Sequence, residues 1–78
     1  MPLPDEQDRN VRGSIADVAR RLNKAQASLE DVVVSLDHDD PEGARFALDK
    51  AESQIEAAGK EARTTNHALR AARDREAP

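Results

Sequence analysis

Val11, Ile15, Val18, Leu22, Ala25, Leu29, Val32 and Leu36 follow one another at steps of 4, 3, 4, 3, 4, 3 and 4 residues. Apolar positions at this spacing fall on one stripe of an α-helix. A half-buried strand needs alternation with period 2, and the segment shows none. The chain is therefore organised around a long amphipathic helix. Such a helix is stable only when its stripe is covered.

A second stripe supplies the cover. Ala44, Leu48, Ala51, Ile55, Ala58, Ala62, Thr65, Leu69 and Ala72 repeat the same spacing. Between the stripes, Asp37-His38-Asp39-Asp40-Pro41-Glu42-Gly43 breaks the pattern. Acidic residues oppose the dipole at a helix C-terminus and help to end it. Asp40 is then an N-cap, with Pro41 at the first helical position, where its missing N–H costs nothing. At the other end Asp5 is placed to cap the first helix, ahead of a weaker S-x-x-D start at Ser14. Residues 1–4, with two prolines, are expected to fray, as is the far end beyond Arg75.

Two apolar helices joined by a short turn fold back on each other. In an antiparallel pair the numbers of facing residues have a constant sum. Centred on Asp40, Leu36 faces Ala44, Val32 faces Leu48, Leu29 faces Ala51 and Ala25 faces Ile55. The same centre pairs Leu22 with Ala58, Val18 with Ala62, Ile15 with Thr65 and Val11 with Leu69. The stripe is thus read as the seam, large residues set against small ones. On its flanks Arg21 comes opposite Glu61, a surface ion pair, and Ala19 opposite Gly59, where the backbones are expected to approach. The flank that carries Arg21 and Glu61 is otherwise small and uncharged, pairing Ser14 with Ala68, Ser28 with Gln54 and Ser35 with Ala47.

The expected fold is all-α: an antiparallel two-helix coiled-coil hairpin that dimerises into a four-helix bundle. It forms one domain over residues 1–78, with helices over about 6–37 and 41–75 and a turn at 38–40. Dimerisation is expected because a seam half built from alanine buries little apolar area, while ordering costs over about 1 kcal/mol per residue. There is no cysteine, so neither a disulfide nor a thiolate metal site can help a chain of 78 residues.

Function is restricted by the same residues. One Phe is the only aromatic, which removes base-stacking platforms and aromatic cages. Asp37, His38, Asp39 and Asp40 are the only group resembling a metal site, and their spacing matches no EF-hand loop. They read as a solvated acidic turn, and His67 reads as a surface histidine. No nucleophile–base motif or phosphate-binding loop occurs, so no catalysis and no cofactor are expected. Neither a leader pattern nor a membrane-length apolar run is present, which points to the cytoplasm. Val33, Val34, Phe46 and Ala47 lie around the turn outside the seam and are the expected protein-contact patch.

Charge is polarised along the hairpin. Residues 25 to 60 hold nine acids against three bases, net −6, which leaves +2 of the overall −4 for the open end. Arg63, Arg70 and Arg73 there are the expected contacts if the partner is a nucleic acid. A self-associating interaction or regulatory protein is the first functional expectation. A nucleic-acid regulator using that arginine end is the second.

Overall fold

The computed structural model describes residues 3–76, with side chains to residue 74. The expectations for Met1, Pro2 and Pro78 lie outside the described residues. Helix α1 runs Asp5–Asp37, 33 residues, and helix α2 runs Pro41–Glu76, 36 residues. The two pack against each other as a hairpin. It measures 60 × 17 × 12 Å, with a radius of gyration of 17.5 Å. A compact chain of this length has a radius near about 11.5 Å. The molecule is a slab one helix thick, and both of its broad faces meet solvent.

Helix α1 opens at Asp5, as preferred from the sequence, but Asp5 is not its cap. The N-cap is Pro4, which has no side-chain donor or acceptor, and its carbonyl accepts a bond from the Asp8 N–H at 2.8 Å. Asp5, Glu6 and Asp8 instead place their charge in the first turn, where the macrodipole favours it.

The turn is a Schellman arrangement. The Asp40 N–H donates to the Ser35 carbonyl at 2.8 Å and the Asp39 N–H to the Leu36 carbonyl at 3.1 Å. Asp39 takes φ 53°, a left-handed conformation that Gly usually supplies and Asp tolerates. His38 Nδ1 lies 2.8 Å from the Val34 carbonyl and serves the same helix end. Asp40 then starts α2: its Oδ1 accepts from the Gly43 N–H at 3.0 Å and its carbonyl from the Ala44 N–H at 3.0 Å. Asp40→Ala is expected to lower the unfolding free energy by about 1 kcal/mol, measured by urea titration, because it removes this cap. Gly43 belongs to the same device. A Cβ there would overlap the Asp40 carboxylate, with Cγ 2.9 Å away and Ser35 Oγ at 3.1 Å.

Gly59 has no such reason. No backbone of α1 comes near it, contrary to the expectation from its pairing with Ala19. An added Cβ would meet only Arg63 Nη1, at 4.0 Å. Gly59→Ala is therefore expected to stabilise the helix by about 1 kcal/mol, seen as a raised midpoint in the same titration.

The main correction concerns the seam. Ala25, Ala44, Ala47, Ala51, Ala58 and Ala72 are buried, with Ser28 and Thr65, and Ala51 is fully covered. No large side chain among the described residues is buried to that degree. The large members of the expected seam stand open: Ile15, Leu22, Leu29, Leu36, Leu48, Ile55 and Leu69 keep 37–56% of their surface. Both helices are turned about their axes by roughly 50°, half the angular step of one residue, from the expected seam. The contact rows are Val11, Ser14, Val18, Arg21, Ala25, Ser28, Val32 and Ser35 on α1, and Ala44, Ala47, Ala51, Gln54, Ala58, Glu61, Thr65, Ala68 and Ala72 on α2. The physical reason is size. Small side chains let two helices approach closely, and a pair with no second layer gains more from that contact than from a few large side chains holding it apart.

Candidate interaction face

Each open residue follows a seam residue by one position. Ile15 follows Ser14, Leu22 follows Arg21, Leu29 follows Ser28 and Leu36 follows Ser35. On α2, Leu48 follows Ala47, Ile55 follows Gln54 and Leu69 follows Ala68. In an antiparallel pair, residues displaced in the same sense from the seam lie on the same side of both helices. Both ladders therefore line one broad face. The half-buried Val11, Val18, Val32 and Ala62 fill the space between them.

The opposite side is polar. Lys24, Ser28, Asp31, Lys50 and Gln54 line a shallow groove there. Ser14, Arg21, Ala57, Glu61 and Thr64 continue it towards the open end. The Arg21–Glu61 pair expected from the sequence forms in that groove at 3.4 Å. Both partners are partly exposed, so the pair contributes little, at most about 1 kcal/mol. The slab thus has one apolar side and one polar side.

The surface area agrees with an uncovered face. A compact monomer of this mass exposes about 4,700 Å². The hairpin exposes 6316 Å². The excess belongs to the elongated two-helix shape, of which the apolar face is one side.

Of the four turn-end candidates, Ala47 is buried in the seam, 7% exposed. Val33 lies four residues after Leu29 and three before Leu36, which places it at the outer edge of the apolar face. Val34 follows Asp31 by three and Phe46 precedes Lys50 by four, so both lie on the polar side. The four do not come together. The continuous face was not singled out from the sequence, although all its residues were in the stripe assigned to the seam.

The charged rows just outside the face are polarised. Next to the apolar ladders at the open end stand Arg9, Arg12, Arg63, Arg70 and Arg73, all exposed, with Asp5 in the same rows and Asp8 at the end of the α1 ladder. At the turn end the same rows carry Glu30, Asp37, Glu42, Asp49, Glu52 and Glu56, with Arg45 as the one base. Arg12 is held by Asp8 at 2.8 Å, and that hydrogen bond and charge raise its pKa above the ordinary value. Arg63, Arg70 and Arg73 make no ion pair among the described residues and follow the outer face of α2.

Among the described residues, no three His, Asp or Glu side chains are grouped to hold a metal ion, and no helix is long and apolar enough to cross a membrane. Comparison with protein-family models, curated proteins and solved structures gave no match.

Proposed function

We propose that this chain is a small cytoplasmic, non-enzymatic helical interaction protein with an adaptor or regulatory role. It acts by closing its Leu/Ile face against two further helices, from another copy or from a partner protein, to complete a four-helix bundle. One observation carries this reading: seven large aliphatic side chains on a single side, each at least 37% exposed, along the length of the rod. An apolar patch of that extent marks a protein contact. Val33 extends the contact at the turn. Val34 and Phe46, the latter 72% exposed, offer a smaller contact to a partner that wraps the turn.

The test is sedimentation equilibrium of the parent and of Leu29→Glu, with circular dichroism on both. The expected result is an assembled parent and a Leu29→Glu chain shifted towards monomer mass. Unchanged association of the variant would sink the reading.

A second reading rests on the exposed arginine row of α2. Nucleic-acid contact through Arg63, Arg70 and Arg73 requires binding that weakens steeply with salt and is lost in the double variant Arg70→Ala, Arg73→Ala. Salt-insensitive or absent binding would eliminate it.

A further inference from the structure

We infer that the occupant of the apolar face is a second copy of this chain, laid on it head to tail, with α1 against α1 and α2 against α2. The inference rests on the face being a docking surface and goes on to specify partner and orientation.

The first support is the spacing of the ladders. Placing two copies face to face about a two-fold axis perpendicular to the rod inverts each ladder onto itself. On α1 the row Asp8, Ile15, Leu22, Leu29 and Leu36 is centred on Leu22. On α2 the row Leu48, Ile55, Ala62 and Leu69 is centred between Ile55 and Ala62. In the hairpin register, centred on Asp40, these two centres lie at the same height. One axis therefore serves both helices. It sets Leu22 on its own copy, Ile15 on Leu29, Ile55 on Ala62 and Leu48 on Leu69, and it brings Leu36 level with Asp8.

The second support is charge, and it is independent of the first. In the head-to-tail pair the arginine end of each copy lies over the acidic end of the other. Arg12 comes level with Glu30, Arg9 with Asp37, Arg63 with Glu52 and Glu56, and Arg70 with Asp49; against these stand two like pairs, Asp5 with Asp37 and Arg73 with Arg45. The alternative has the two turns at the same end and α1 over α2. It puts Arg12 beside Arg70 and Glu30 beside Asp49 and Glu52. Opposite charges at a rim steer association and fix orientation, and like charges there reject the wrong one.

The third support is need. The slab buries no large side chain within itself, and a second slab of the same shape covers the whole face at once.

The absence of cysteine makes a direct test possible. Leu22→Cys alone, oxidised with glutathione disulfide, is expected to give a covalent dimer, because the two copies of that residue meet on the axis. Mixed Ile15→Cys and Leu29→Cys chains are expected to cross-link to each other. Cross-linking of Ile15→Cys to Ala62→Cys in place of these would establish the turn-to-turn arrangement and overturn the inference. The docking reading would then still stand on the Leu29→Glu result. A parent that sediments as a folded monomer would also overturn the self-pairing, whatever other protein covers the face.

A charge test uses no cysteine. Arg12→Glu with Arg63→Glu is expected to weaken self-association by roughly ten- to a hundredfold, as six rim pairs become repulsive. Glu30→Lys with Glu52→Lys is expected to do the same. An equimolar mixture of the two double variants is expected to recover association. If each double variant associates as the parent does, the charges set no orientation and the inference fails.

Discussion

Ala51→Leu is expected to lower the stability of the hairpin by about 1–3 kcal/mol or more, the cost of forcing extra methylenes into a filled site. Ala51 is fully covered and sits midway along the turn half of the seam. Three added carbon atoms have no space between helices held at alanine contact distance. They must push α1 away, and the Ala47 and Ala58 contacts on either side open with it. The measurement is thermal or urea unfolding followed by circular dichroism. Leu48→Ala, three positions earlier and 42% exposed, is the control. Its removal costs the isolated hairpin little, because half its surface is already wet. If Ala51→Leu were tolerated and Leu48→Ala were the damaging change in a monomeric sample, the seam would be the large-residue stripe read from the sequence.

The second large effect concerns the proposed assembly. Leu22→Ala combined with Leu29→Ala is expected to leave the helical hairpin formed but to weaken its association by on the order of 2–5 kcal/mol per truncated residue. In a monomer the same residues stand 48% and 42% exposed, and little is lost. The readout is the melting temperature at several protein concentrations. The parent's value should rise with concentration, by mass action, and the double variant's should not over the same range. A parent melting temperature independent of concentration, equal to the variant's, would show that these leucines meet no partner.

These two predictions divide along the line where sequence reasoning stopped. The 4-3 spacing places two helices, and the Asp40-Pro41 turn places the centre of the hairpin. The Arg21–Glu61 pair follows from that centre and forms at 3.4 Å. What the spacing leaves open is a rotation of roughly 50°, half the angular step of one residue. Val11, Val18, Ala25 and Val32 belong to either seam, completed by Ile15, Leu22, Leu29 and Leu36 or by Ser14, Arg21, Ser28 and Ser35. Hydropathy favours the first set. Packing of only two helices favours the second, because close approach needs small side chains and nothing lies behind a large one to bury it. The signal was present in the uncharged small row noted beside the stripe. Gly59 was misread for the same reason: rotated with its helix, it faces open space and not α1. Asp39 gives no sequence cue of its left-handed backbone beyond being an Asp in a turn.

A slab 12 Å thick has a calorimetric consequence. Heat capacity rises on unfolding in proportion to the apolar surface newly exposed, and a typical chain of this length gains about 1 kcal/mol/K. A hairpin joined through alanine has little such surface left to expose, so its stability curve is shallow and broad in temperature. The heat capacity step enters when the Leu/Ile face is covered. In the proposed assembly the curvature of stability with temperature resides in the covered face, and cold is expected to act on the interface before it acts on the helices.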